Sequence, residues 1–146
     1  MVEKKKVDFQ KQGKRNRARG GEFERRVRLD LEENGWIVNK WMNNVDLSQE
    51  KIVPAKRRFN PFSKVMAIGT GFPDFICFRS KNDFFEVILL EVKKNGCLDK
   101  EEKAKAKWYL EKGIVKEILV AQQAKEGRKI KIEYKSFLEK YPKMCE

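Results

Sequence analysis

The chain of 146 residues contains no histidine. That absence excludes Ser-His-Asp and Cys-His triads, histidine-ligated zinc and any imidazole general base. Whatever chemistry occurs must run on carboxylates, lysine, hydroxyls or a metal held by oxygen ligands. Cysteine is scarce as well. Cys77, Cys97 and Cys145 form no C-x-x-C pair and their odd number is a poor disulfide framework, so they read as reduced thiols. No apolar run approaches the roughly 18 residues of a membrane span, and the N-terminus lacks an apolar signal core. The expectation is a soluble, intracellular protein with no membrane association.

Acidic residues are the minority charge, 22 against 34 lysines and arginines, which leaves a formal net charge of +12. Such an excess repels itself unless a polyanion is the usual neighbour, and nucleic acid is the leading candidate. Hydrophobic residues make up 40% of the chain, enough for the core of one compact domain but not of two. No internal repeat is present.

The first stretch, residues 1–19, carries many cations and few apolar side chains, and reads as a flexible basic arm preceding a domain over residues 20–146. From Glu22 to Asn34, Phe23, Val27 and Leu31 recur every four positions, and Gly35 stands where a helix ends. Trp36 to Trp41 has strand composition. Met42 to Thr70 shows no sustained period and reads as a long loop bearing Lys56, Arg57 and Arg58. FPDFICF and FFEVILLEVK then form a hairpin, Asp99 caps a helix ended by Gly113, and Ile114 to Gln122 is a strand. Lys129 to Tyr134 alternates as an edge strand does, before a short helical turn at Phe137 and Leu138. The order predicts an α/β domain with a mixed central sheet flanked by helices.

Glu91 and Lys93 are two apart on a predicted strand, so both side chains share one face. If Asn82-Asp83 is a two-residue turn, residues whose numbers sum to 165 oppose each other, which pairs Asp74 with Glu91. Two carboxylates so close require a shared proton or a divalent cation between them. With oxygen ligands only, that cation is Mg²⁺, with Mn²⁺ able to substitute. Lys93, its pKa lowered by the cation or by burial, would orient or deprotonate an attacking water. The bare pattern Glu-x-Lys occurs four times, at Glu3, Glu91, Glu101 and Glu133, but only the Glu91 copy ends a long apolar strand.

Those residues resemble a known family. The stretch GTGFPDFICF, followed by EVILLEVKKNGCLDKEEKAKAKWYLEKG, looks like the core of the PD-(D/E)XK nucleases. Its spacing of Gly71, Pro73-Asp74, Glu91-Val92-Lys93, Leu98 and Gly113 is most similar to the VRR-NUC branch. RGGEFERRVRLDLEENGW resembles the first helix of archaeal Holliday junction resolvases, with Glu24 at the position of their helix glutamate. The resemblance spans residues 18 to about 121. It implies a restriction-endonuclease-like fold, with Asp74, Glu91, the Val92 carbonyl and Glu24 around the metal and Lys93 as the catalytic lysine. It also implies an endonuclease on structured or branched DNA in replication or repair. Two differences stand out: Glu102 occupies the place of a VRR-NUC glutamine, and a long basic segment separates Glu24 from Asp74. Cations expected at the phosphates are Lys14, Arg15, Arg17 and Arg19 of the arm, Lys56, Arg57 and Arg58 of the loop, and Lys94. The alternatives are a resolvase acting as a homodimer on four-way junctions, and a DNA-binding module of the same fold that does not cut.

Overall fold

A computed structural model describes residues 8–62, 64–68 and 71–144. Helix α1 spans Phe9–Glu33, with the Asp8 carboxylate accepting a hydrogen bond from the Lys11 amide as its N-cap. The helix predicted from Glu22 therefore starts 13 residues earlier, and residues 9–19 of the expected arm are helical. Gly13, Gly20 and Gly21 each weaken a helix interior, which is why the sequence pattern suggested a later start. Residues 1–7 of the arm lie outside the described residues.

Strand β1 is Ile37–Lys40. The segment expected to be a loop instead folds into two antiparallel ribbons, β2 (Asn43–Asp46) with β3 (Lys51–Pro54) and β4 (Arg57–Asn60) with β5 (Val65–Ile68). The first closes on Asp46, whose Oδ1 accepts from the amides of Ser48 and Gln49 and from the Ser48 hydroxyl. Four-residue strands with polar Asn43 and Asn44 carry too little alternation to be read from sequence.

The expected hairpin is β6 (Phe75–Lys81) and β7 (Phe84–Val92), turning at Asn82-Asp83 with Phe75 opposite Leu90. The β6–β7 register is thus the one the turn implied. Helix α2 (Lys100–Glu111) carries the chain back to β8 (Ile118–Glu126), parallel to β7, and β9 (Lys129–Ser136) pairs antiparallel with β8. β8 begins four residues later than predicted, because Ile114 completes the end of α2 by donating its amide to the Tyr109 carbonyl. A short helix, α3 (Phe137–Lys140), follows β9. The sheet order is β1-β6-β7-β8-β9, a mixed five-stranded sheet in one small α/β domain.

Strand alternation divides the core between the two faces of this sheet. Phe23, Val27 and Leu31 of α1 pack on Val38, Phe75, Cys77, Ile88 and Leu90. On the other face Ala106 and Tyr109 of α2, with Phe137, cover Leu89, Ile118 and Val120. Tyr134 donates its hydroxyl to Asp30 at 2.6 Å, fixing α1 to the edge strand. Cys77 is a buried thiol, its pKa pushed up to about 12 by burial, and Cys97 is exposed; Cys145 lies outside the described residues. Among the described residues, no helix is long and apolar enough to cross a membrane.

Gly71 is wedged where the β1–β2 connection meets the Phe72-Pro73-Asp74 segment. A Cβ there would stand 2.2 Å from the Trp41 carbonyl oxygen and 2.6 Å from that of Asn43, both backbone atoms. Gly71→Ala should therefore destabilise the fold by about 1–3 kcal/mol, as overpacking does. An unchanged urea midpoint would show that this junction yields freely.

Candidate active site

The β6–β7 register brings Asp74, just before β6, opposite Glu91, near the end of β7. Each carboxylate is held by the other strand's backbone. The Asp74 amide donates to Glu91 Oε2 at 3.1 Å, and the Val92 amide donates to Asp74 Oδ2 at 2.8 Å. The two carboxylates are close enough to act on each other's ionisation. Among the described residues Glu91 is the only charged side chain counted as buried, at 5% exposure.

Burial dominates the electrostatics. Glu91 is pushed up to about 9, first by desolvation and then by the Asp74 charge, with Lys93 opposing. Asp74 is raised as well, by burial, against the Val92 amide that favours its charged form. Near neutral pH the pair is therefore short of positive charge and shares a proton in the absence of a cation.

Lys93 shares the face of Glu91, as the spacing of two requires, with its ammonium 3.7 Å from Glu91 Oε1. Its stronger partner is Glu102 of α2, at 2.6 Å. Burial alone would lower the pKa of Lys93. The Glu102 hydrogen bond and the charges of Glu91, Glu102 and Asp74 outweigh it, so the pKa is raised. This corrects the expectation of a lowered value: in this site Lys93 is a cation and a donor. Glu102 holds two jobs, since its other oxygen accepts from the Asp99 amide while Asp99 Oδ1 accepts from the Glu102 amide, a reciprocal cap that fixes the start of α2.

Glu24 projects from α1 into the same cleft, which has a volume of about 420 Å³ and is also lined by Asp74, Glu91, Val92, Lys93 and Glu102. Its carboxylate is bound by Lys40 at 2.5 Å. Glu24 thus reaches the cleft and its charge raises Asp74, while Lys40 counters it. Among the described residues no trio of acidic side chains gathers closely enough to hold an ion unaided. Asp74 and Glu91 form a two-carboxylate, oxygen-only set that suits Mg²⁺ or Mn²⁺, which take further ligands from water and substrate. Two carboxylates set together with only Lys93 opposing them, itself bonded more closely to Glu102, are the observation that fits a cation to this cleft.

Two supporting residues escaped the sequence reading. The buried Tyr109 hydroxyl donates to the Phe72 carbonyl at 2.9 Å and accepts from Trp41 Nε1 at 3.1 Å, tying the segment before Asp74 to α2. Trp41 is therefore half-buried packing, and only its distance from α2 in sequence hid the contact. Of the expected phosphate-binding cations, Lys14, Arg15, Arg17 and Arg19 are exposed along α1, Lys56 is exposed before β4, and Lys94 is exposed beside Lys93. Arg57 and Arg58 lie on β4, with side chains outside the described residues. Phe62 is 97% exposed, and the Phe59 side chain is likewise outside the description.

The raised pKa of Glu91 has a measurable consequence. The folded protein holds that proton to a higher pH than the unfolded chain, so it binds more protons between the ordinary glutamate range and about 9. Stability without divalent cations should therefore fall as pH rises through that window, more steeply than in Glu91→Gln. Urea melts in EDTA at several pH values measure this, and parallel profiles for the two proteins would contradict it.

No family model, no curated protein and no solved structure matches the chain. The meaning of the cleft rests on its own residues.

Proposed function

We propose that the protein is a divalent-cation-dependent nuclease of the PD-(D/E)XK kind, hydrolysing phosphodiester bonds of DNA as an endonuclease on structured or branched substrates. The observation that carries this reading is the pair of buried Glu91 and half-buried Asp74, each bonded to the other's strand segment through a backbone amide and accompanied by Lys93. A protein that only gripped phosphates would gain nothing from two carboxylates at the phosphate site, where their charge opposes binding. The excess of cations supplies the attraction those acids oppose.

Asp74 and Glu91 would hold the cation, with the Val92 carbonyl beside them and Glu24 at the margin of the cleft. A Mg²⁺ or Mn²⁺ ion bound there supplies Lewis acidity, favouring attack of water on phosphorus and offsetting the charge that develops as the P–O ester bond breaks. The other roles fall to the chain. Lys93, protonated, donates hydrogen bonds to a phosphate oxygen or to the attacking water and steadies negative charge. Glu102 is a positioning residue that aims the Lys93 ammonium. The Asp74 and Val92 amides keep the carboxylates in register before substrate arrives.

Cleavage of duplex, flapped, single-stranded and four-way-junction DNA with Mg²⁺, Mn²⁺ or EDTA tests the assignment, and the junction distinguishes a dimeric resolvase. Glu91→Ala should bind DNA as well as wild type or better while cutting falls by about 10²-fold or more, and Lys93→Ala should bind the metal yet cut slowly. Glu102→Gln, which keeps one oxygen acceptor for Lys93 or the Asp99 amide where Glu102 Oε1 and Oε2 serve one each, should retain more cutting than Glu102→Ala, which keeps none. Wild-type protein that binds DNA but cuts none of these substrates would refute the nuclease reading, and full activity in Glu91→Ala would refute this site.

A further inference from the structure

A second concavity, of about 850 Å³, adjoins the carboxylate cleft and has the opposite electrostatic character. Arg19 of α1, Lys94 of the β7–α2 loop and Lys125 of β8 line it, together with the amide side chains of Asn16, Asn95 and Gln123. No carboxylate does. Many other cations of the domain are paired: Arg26 with Glu22, Arg28 with Glu32, Lys40 with Glu24, Lys105 with Glu101 and Lys107 with Glu111. Among the described residues Arg19, Lys94 and Lys125 have no acidic partner, although all three are within one groove. Three uncompensated charges with interleaved amide groups are suited to successive phosphates of a polyanion.

One residue is common to the linings of groove and cleft, and it is Gly20. Glycine inside a helix costs roughly 1 kcal/mol relative to alanine. Among the described residues nothing beyond its own helix requires it, because a Cβ at Gly20 would meet no such atom within 4 Å and its φ is not in the left-handed region. What a side chain would fill is the passage between the acidic cleft and the basic groove.

We infer that this groove is the track for the phosphate backbone of a nucleic-acid strand running out of the carboxylate cleft, with Gly20 the bare threshold over which the strand passes. The inference rests on reading the cleft as a nuclease site. In that arrangement the acids grip the scissile phosphate only through a cation, while Arg19, Lys94 and Lys125 hold its neighbours directly. The polarity change across Gly20 then sets which part of the strand is held and which is cut.

Binding of fluorescein-labelled single-stranded and duplex DNA, measured in EDTA across a salt series, tests the track without any cleavage. Arg19→Ala combined with Lys125→Ala should reduce the slope of log affinity against log salt by about 1.4–1.8. Lys81→Ala combined with Lys116→Ala removes the same charge from the exposed β6–β7 turn and the start of β8, and should leave the slope near that of wild type. Gly20→Leu, in a residue that favours helix, should keep or raise Tm yet weaken binding at least tenfold, whereas Gly21→Leu should bind as wild type does. Equal slopes for the two double variants, wild-type affinity in Gly20→Leu, or no salt-dependent binding by the wild type would each overturn the track. Loss of slope in a protein that cuts no DNA would uphold the groove and count against the nuclease reading alone; an unchanged slope in a protein that does cut would do the reverse.

Discussion

The contact between Asp74 and Glu91 is the constraint around which the rest of the domain is organised. Two carboxylates removed from water and set against each other are unfavourable unless charge is supplied or a proton retained. The fold nevertheless holds them, each anchored by a backbone amide of the opposite strand. A chain selected for stability alone would replace the pair with apolar residues, which is why the pair reads as chemistry. Lys93 only partly relieves the strain, because Glu102 takes its closer contact.

Each surrounding element acts on that contact. The central hairpin sets the register, α2 brings Glu102 to Lys93, and Tyr109 with Trp41 pins the carbonyl of Phe72 two residues before Asp74. Gly71 admits the segment between two backbone carbonyls. On the opposite face α1 seals the sheet with Phe23, Val27 and Leu31, and from the same helix Glu24 and Arg19 reach the two concavities. One helix thus contributes both to the core and to the walls of the two concavities.

Much of this was legible before any coordinates. A two-residue turn at Asn82-Asp83 and strict alternation fix which residues of β6 and β7 face each other, so the opposition of Asp74 and Glu91 follows from counting. Helix α2 announced itself through Asp99 and Gly113. Features that depend on contacts distant in sequence were not legible. The raised pKa of Lys93 comes from a helix residue nine positions on, whose reach toward the sheet no strand pattern reveals. The ribbons between Asn43 and Ile68 are built of four-residue strands too short to show a period; the Asp46-Leu47-Ser48 turn was the one local signal for the first of them. In α1 the glycines masked an N-cap at Asp8.

The claim on which everything else depends is that the carboxylate pair exchanges its retained proton for a divalent cation. Calorimetric titration of the protein with Mn²⁺ near pH 7.5, repeated in buffers of different ionisation enthalpy, measures the binding and the protons released together. The account predicts saturable binding with release of about one proton, lost in Glu91→Gln. Binding that releases no proton, or that persists unchanged in Glu91→Gln, would contradict it.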